Sequence, residues 1–283
     1  MKAFYNGKVL SEQDIHISIF DRGWLYGDGF FTTLKAINSN LMHFEKHFNR
    51  LKMTAEALGI PLAYNENELR DHCKGLLVTN NLLQSTALLK ITISRGVSPR
   101  GISIPATVIP TCLITTAEYH ESINSPRACI TSTQRNERSP LMQYKTLNYL
   151  EPILARKEAQ SLGSDEGILL NSKGLLTEAT VANLFFVNNG SVLTPPIKDG
   201  VLPGILRGII IEICQELGID IQETSIRPEH IKNMDEAFLT NSLIEIQSLS
   251  YIDNHKLLHN EDAIITGKIK LAYKKIRDEI AQQ

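Results

Sequence analysis

The sequence predicts a mixed α/β (α+β) protein in two domains, and three observations carry that prediction. The chain has 283 residues, enough for two modest hydrophobic cores. Apolar residues recur at helical spacing in some segments and alternate in others, and both patterns appear in each half. A polar stretch without periodicity, Glu118 to Pro126 (EYHESINSP), separates the halves. The expected layout is a smaller N-terminal α/β domain over 1–117, a connector over 118–126 and a larger C-terminal domain over 127–283.

Lys2 to Tyr5, an Asn6-Gly7 turn and Lys8 to Leu10 read as a hairpin, because Asn-Gly tolerates the positive φ values of a two-residue turn. Asp21 to Gly29 is rich in Gly and Asp and reads as a loop. Phe30 to Ile37 looks extended, and Asn38-Ser39-Asn40 turns the chain. A helix is expected from about Glu45 to Leu58: Phe44, Phe48, Leu51, Ala55 and Leu58 share a face, and Gly59 with Pro61 ends it. A second helix near Glu66 to Thr79 precedes a strand over Ala87 to Ser94, where Leu89, Ile91 and Ile93 alternate with other residues. Another strand covers about Cys112 to Thr116.

Past the connector come a strand over 127–133, a polar loop through Pro140 and a helix from about Tyr149 to Leu162. Four short strands follow: Glu166 to Leu170, Leu175 to Thr177, Asn183 to Val187 and Ser191 to Thr194. Turns at Asn171 to Gly174 and Asn188 to Gly190 set them apart. Helices near 205–217 and 261–281 complete the reading.

Composition excludes several classes. With 42% apolar and 21% charged residues the chain can bury a core, so it is not a disordered segment. A net charge of -2 without any basic run gives no footing for nucleic acid or an anionic membrane. The most apolar stretch, Ile205 to Ile219, is broken by Arg207, Glu212 and Glu216, so it reads as a core helix. Cys73, Cys112, Cys129 and Cys214 are widely spaced, which argues for reduced thiols and against a disulfide or metal framework. The opening MKAFYNGKVLSEQD has no apolar core of a secretion signal, and a cytoplasmic protein is expected.

One feature speaks of chemistry directly. Gly200-Val-Leu-Pro-Gly204 feeds the helix that opens at Ile205, Leu206 and Arg207. First-turn N–H groups and the positive end of a helix dipole suit a phosphate, although the same corner serves equally as a ligand-free junction.

Separated motifs add to this. They are Asp21-Arg22-Gly23 with Tyr26-Gly27-Asp28-Gly29-Phe30-Phe31, then His47-Phe-Asn-Arg50-Leu51 and Ser94-Arg95-Gly96 with Ser98-Pro99-Arg100-Gly101. Lys145-Thr-Leu-Asn148-Tyr149-Leu150 and Leu176-Thr177-Glu178 with Ala182-Asn183-Leu184-Phe185 follow, and Gly204-Ile-Leu-Arg207 and Leu239-Thr240-Asn241-Ser242 complete the set. In this order and spacing the chain resembles, over nearly its whole length, the fold-type IV pyridoxal-phosphate enzymes (the class IV aminotransferase family). That resemblance implies a C-terminal cofactor-binding domain with a β-barrel-like sheet, pyridoxal 5'-phosphate as cofactor and a homodimer, with Gly23, Trp24 and Leu25 near the partner.

By the same resemblance, Lys145 is the lysine that binds the cofactor covalently and moves the proton, whereas taken alone it would be one more surface lysine. Glu178 pairs with the pyridine nitrogen and helps the ring accept electrons. Arg50 holds the phosphate, where a planar guanidinium can grip two oxygens. The backbone of Ile205 and Leu206, with Asn241 and Ser242, completes the phosphate cup. Many relatives have Thr where Leu206 stands, so a hydroxyl contact is missing there. Tyr149 approaches the phenolic oxygen.

Three positions bear on the reaction. Phe31, Thr32 and Thr33 carry threonine where branched-chain and D-amino acid transaminases usually have Glu after the aromatic residue. Arg100-Gly101 keeps a carboxylate-binding arginine without a following His. Thr240-Asn241-Ser242 replaces a Thr-Gly-Thr form. All three resemble 4-amino-4-deoxychorismate lyases, with Lys145 and Thr33 as catalytic residues and Phe31, Thr32 and Arg100 on the substrate. A transaminase of the same fold, or a non-catalytic binder of the cofactor, is the alternative.

Overall fold

The computed structural model describes residues 1–120 and 125–282; residues 121–124 of the expected connector lie outside the described residues. The chain divides into two compact units. One comprises Met1–His120, Lys145–Asn148 and the chain end from Arg277; the other runs up to Tyr144 and then over Tyr149–Ile276.

The first unit contains β1 (Lys2–Tyr5), β2 (Lys8–Ser11), α1 (Arg22–Tyr26), β3 (Gly29–Ile37), β4 (Asn40–Leu41), α2 (Phe44–Leu58), α3 (Glu66–Thr79), β5 (Thr86–Ser94) and β6 (Thr111–Glu118). Its strands form one antiparallel sheet in the order β2-β1-β6-β5-β3-β4. The hairpin turn adopts φ values of 46° at Asn6 and 88° at Gly7, which explains the Asn-Gly pair. The stretch expected as a loop holds the short helix α1. Asp21 accepts from the Gly23 N–H at 2.8 Å and Gly27 ends the turn at φ 66°, a helix too short to leave a periodic trace. α3 begins with a capping box between Asn65 and Glu68.

Alternation decides which side chains enter this core. Phe30, Leu34 and Ala36 of β3 and Leu89, Ile91 and Ile93 of β5 share one face, packed with Leu51 and Ala55 of α2 and Leu69, Cys73, Leu76 and Leu77 of α3. Each fully buried leucine or isoleucine contributes about 1.5–3 kcal/mol. Phe31 and Thr33 therefore point to the opposite face of β3.

The second unit contains β7 (Arg127–Arg135), α4 (Leu150–Ser161), β8 (Glu166–Asn171), β9 (Leu176–Ala179), β10 (Asn183–Asn188) and β11 (Ser191–Thr194). Beyond them come α5 (Ile205–Glu216), β12 (Ile221–Glu223), β13 (Glu236–Asn241), β14 (Glu245–Ser248), β15 (Tyr251–Ile252), β16 (His255–Lys256) and, up to Ile276, α6 (Ile264–Ala281). Two five-stranded sheets, β16-β15-β7-β8-β9 and β12-β11-β10-β13-β14, form the half-barrel. A shared cluster joins them, with Ile168, Leu176 and Ala179 from one and Leu184, Phe186, Ala237 and Leu239 from the other. On the far face of the second sheet, Phe185 and Phe238 stack with centroids 4.9 Å apart, packed with Leu206, Ile209 and Ile213 of α5 and Ile269 and Tyr273 of α6.

Strands β12 to β16 were not expected. They run two to six residues, and β13 (Glu-Ala-Phe-Leu-Thr-Asn) is buried on both faces, so it shows no alternation. All four cysteines are free and buried, and burial pushes the Cys112 thiol up to about 12 and the Cys214 thiol up to about 11. Among the described residues no helix is long and apolar enough to cross a membrane.

Candidate active site

In the first unit the site is built on β3 and a short segment that pairs with it. Phe31 N–H donates to the Lys145 carbonyl at 2.9 Å and Leu147 N–H to the Gly29 carbonyl at 3.0 Å, so Lys145 is carried on a strand-like extension. Gly29 has to be glycine here: a Cβ would lie 2.5 Å from the Ile93 carbonyl oxygen and 2.8 Å from Leu147. The Lys145 ammonium lies 4.9 Å from the Phe31 ring centroid, and the Lys90 ammonium lies 4.4 Å from the same ring. Lys90 stands opposite Thr33 in the β3–β5 register. Burial pulls its amine below the ordinary lysine range. Phe31, Thr33, Lys90 and Lys145 thus form one cationic, part-buried group.

Thr32 points the other way. It is fully buried, and its Oγ1 lies 2.6 Å from both Arg50 Nη2 and His47 Nδ1. Alternation along β3 sends the side chain of Thr32, expected on the substrate, to the helix-covered face, where it bonds Arg50. Burial, then the charges of Arg50, His43 and Lys145, hold His47 well below the usual histidine range.

Arg100 is exposed, on a loop whose backbone is tied down by a different arginine. Arg22 donates to the carbonyls of Gly101 at 2.9 Å, Ile102 at 3.2 Å and Ser103 at 3.2 Å. Asp28 in turn accepts from Arg22 Nε at 2.7 Å and from Arg95 Nε at 2.8 Å. Burial pushes the Asp28 carboxyl up, but Arg95 and Arg22 outweigh it and the group ends below the ordinary aspartate range.

In the second unit Glu178 lies on β9, nearly buried. Its carboxylate accepts from Arg135 Nη1, from Asn183 Nδ2 at 2.9 Å and from the Leu202 N–H at 3.0 Å. Burial lowers the Arg135 guanidinium from its ordinary value, against the opposing effects of Glu151 and Tyr149. Arg135 therefore links the carboxylate of Glu178 to the neighbourhood of Tyr149, which stands at the N-cap of α4.

Gly204 is the N-cap of α5, and a Cβ there would meet the Asn183 Oδ1 at 1.9 Å. Ile205 opens the helix and Leu206 sends its side chain into the core, so only its main chain faces the helix end. The Asn241 side chain is committed: Oδ1 accepts from the N–H groups of Leu243 at 2.8 Å and Ile244 at 2.9 Å, and Nδ2 donates to the Val181 carbonyl at 3.1 Å. It shapes the β13–β14 turn, in which Ser242 follows. Beside it, the buried Thr240 Oγ1 has no hydrogen-bond partner among the described residues.

Sequence reasoning missed Arg135, Lys90 and the supporting roles of His47 and Asn183. Arg135 falls just past the expected strand, where no pattern marks it. The signal for Lys90 was present: a lysine at the even position between Leu89 and Ile91 must face away from the core.

The class IV amino-transferase family matches residues 29–252, and the chain belongs to that family. It is a pyridoxal 5'-phosphate-dependent enzyme of fold type IV. A Methanocaldococcus jannaschii protein, assigned provisionally as a branched-chain-amino-acid aminotransferase, is 33% identical over 98% of this chain and 96% of its own. The D-alanine aminotransferase of Bacillus licheniformis is 26% identical over 96% and 95%, and the aminodeoxychorismate lyase of Bacillus subtilis 27% over 96% and 93%.

Among solved structures, the Thermoproteus uzoniensis branched-chain aminotransferase with norvaline superposes with TM-score 0.91 at 26% identity, covering 100% of this chain and 95% of that one. A Legionella pneumophila protein, assigned provisionally as a 4-amino-4-deoxychorismate lyase, gives TM-score 0.85 at 31% identity over 93% and 96%.

Each unit by itself offers donors of a kind that suits the cofactor. One unit offers an amine and a supported guanidinium. The other offers a carboxylate held by three donors, a helix N-terminus and a buried Thr240 hydroxyl without a partner among the described residues.

Proposed function

We propose that the chain is a 4-amino-4-deoxychorismate lyase that forms p-aminobenzoate and pyruvate, acting as a homodimer in the cytoplasm. The observation that carries the reading is the position of Thr33. It lies opposite Lys90, on the face of β3 that holds Phe31, and Phe31 is bonded to the Lys145 main chain. A hydroxyl among amines can hand a proton to a departing enol. The likeness to the Bacillus subtilis lyase and the Legionella pneumophila structure supports the same reading.

In this reading Lys145 would carry the cofactor, and its phosphate would be taken by Arg50, by the main chains of Ile205, Leu206 and Asn241, and by Ser242. Tyr149 meets the phenolic oxygen and Glu178 the ring nitrogen. When bound, the cofactor would supply an electron sink for the substrate carbon that bears nitrogen. Lys145 removes the proton of that carbon at its Nζ. The carbon–oxygen bond to the enolpyruvyl group breaks, Thr33 relays the proton that turns it into pyruvate, and the ring becomes aromatic. Phe31 forms the wall beneath the substrate, and Arg100 and Lys90 face its carboxylates. Aromatisation drives the step, so these side chains mainly orient the breaking bonds.

A homodimer is supported by apolar side chains left in solvent on the first unit. Ile19 is 70% exposed, Trp24 76%, Ile102 83% and Ile109 77%. Arg22 ties the Gly101–Ser103 backbone to the helix that carries Trp24, which brings two of these segments together.

A second reading, aminotransferase, has the 33% identity with the Methanocaldococcus jannaschii protein in its favour. A coupled assay separates them: a synthase generates aminodeoxychorismate and p-aminobenzoate fluorescence is followed without any keto acid, with Lys145→Ala in parallel. Product that depends on Lys145 is expected. No product from cofactor-loaded protein, together with amino-group transfer from D-alanine or branched-chain amino acids, would replace the lyase by the aminotransferase.

A further inference from the structure

We infer that Thr32 and His47 are positioning residues that aim Arg50 at the cofactor's phosphate, and that neither belongs to the substrate pocket. The inference rests on the reading above that Arg50 takes the phosphate.

The argument starts from hydrogen-bond inventory. A guanidinium can only donate, so the 2.6 Å contact between Arg50 Nη2 and Thr32 Oγ1 uses a lone pair of the hydroxyl. The hydroxyl has one proton left, and the acceptor within reach is His47 Nδ1, also at 2.6 Å. His47 must then accept at Nδ1 and carry its own proton on Nε2. The order is Arg50 to Thr32 to His47, each donating to the next.

Only a neutral imidazole can accept at Nδ1. The interior of the first unit keeps it neutral: His47 is buried, and Arg50 and His43 from its own helix and Lys145 from the segment paired with β3 all disfavour a second proton.

The arrangement also has a charge logic. A carboxylate under Arg50 would grip the guanidinium more strongly, but it would cancel the positive charge that an anion needs. A hydroxyl backed by a neutral ring fixes direction and adds no opposing charge. Thr32 is adjacent in sequence to Phe31 and Thr33 yet serves the other face of the strand, so the Phe-Thr-Thr run divides its labour by alternation.

The test uses full-length protein stripped of cofactor and titrated with pyridoxal 5'-phosphate and, separately, with pyridoxal, which lacks the phosphate. The ratio of the two affinities is the readout. Thr32→Val should lower the ratio about tenfold while pyridoxal binding holds, as expected for loss of one charge-assisted hydrogen bond. Thr32→Ser should restore it. His47→Leu, which removes the acceptor of the Thr32 hydroxyl, should lower the ratio in the same direction, so the inference does not hang on one variant folding. An unchanged ratio in Thr32→Val, with a raised KM for substrate instead, would return Thr32 to the substrate pocket and overturn the inference. Arg50→Met serves as the reference. If it too leaves the ratio unchanged, the error lies in assigning the phosphate to Arg50.

Discussion

In the first unit Arg50 rests on a hydroxyl backed by an imidazole; in the second, Glu178 rests on a guanidinium, an amide and a main-chain N–H. The supports differ in kind. The hydroxyl and the imidazole under the cation are neutral and add no opposing charge of their own. A cation holds the carboxylate, so the Arg135–Glu178 pair is neutral as a whole and Glu178 offers a fixed acceptor edge more than a field. One arrangement suits a dianionic phosphate. The other suits a ring nitrogen that must keep one hydrogen bond in one place.

The largest effect expected from this contrast is at Arg135. Arg135→Met leaves Glu178 with the Asn183 amide and the Leu202 N–H, and stranding one partner of a nearly buried ion pair costs about 3–5 kcal/mol. Denaturant unfolding of the apoenzyme should register that loss, and Arg135→Lys should regain part of it. A variant as stable as wild type would mean that neutral donors suffice for Glu178, and the contrast would vanish.

Gly204→Ala probes the same carboxylate from another side. Its new Cβ would sit 1.9 Å from the Asn183 Oδ1, and Asn183 is held at 2.9 Å by both Glu178 and the Leu202 carbonyl. Relieving that clash moves Asn183 off Glu178. A destabilisation of about 1–3 kcal/mol is expected in thermal unfolding. Asn183→Ala combined with Gly204→Ala should cost little more than Asn183→Ala alone, because the clash partner is gone.

His47 sharpens the comparison through pH. Its proton affinity is lowered in the folded protein, so below about pH 6.5 the unfolded chain binds a proton that the native state refuses. The stabilisation is complete above the unfolded value and is lost as the pH falls toward the folded one. The expected slope is about 1.4 kcal/mol per pH unit. His47→Leu should show a shallower dependence over that window. Asp28 has a lowered carboxyl instead; its contribution is present above about pH 3.9 and fades only at lower pH, which keeps the two apart.

Long periodic elements were legible in the sequence, and the residues that support the site were not. Helix α3 was read at Glu66–Thr79 because its apolar spacing and its boundary residues agree. Strand β13 was missed because both of its faces are buried, which erases the alternation that marks a strand. Glu178 and Lys145 were named from motifs that continue along the chain. Arg135 lies 43 residues from Glu178 and His47 lies 15 from Thr32, and such pairings exist only after the chain folds. The alternation of Thr32 and Thr33 was legible in principle: apolar residues at Phe30, Leu34 and Ala36 already fix the core face, and Thr32 falls in that register.

The smallest effect separates two threonine hydroxyls. Thr32 Oγ1 has two partners, whereas the buried Thr240 Oγ1 has none among the described residues. A buried hydroxyl without a partner costs about 1–3 kcal/mol, and valine fills the same shape without that cost. Thr240→Val should therefore stabilise the apoenzyme by about 1 kcal/mol in thermal unfolding, against a loss in Thr32→Val. Added pyridoxal 5'-phosphate should raise the melting temperature of Thr240→Val less than that of wild type if the hydroxyl is kept for the phosphate. Equal gains in both would assign Thr240 to the packing of β13 alone. A destabilised Thr240→Val apoenzyme would mean that the hydroxyl is already satisfied in the free protein, and the two threonines would no longer differ.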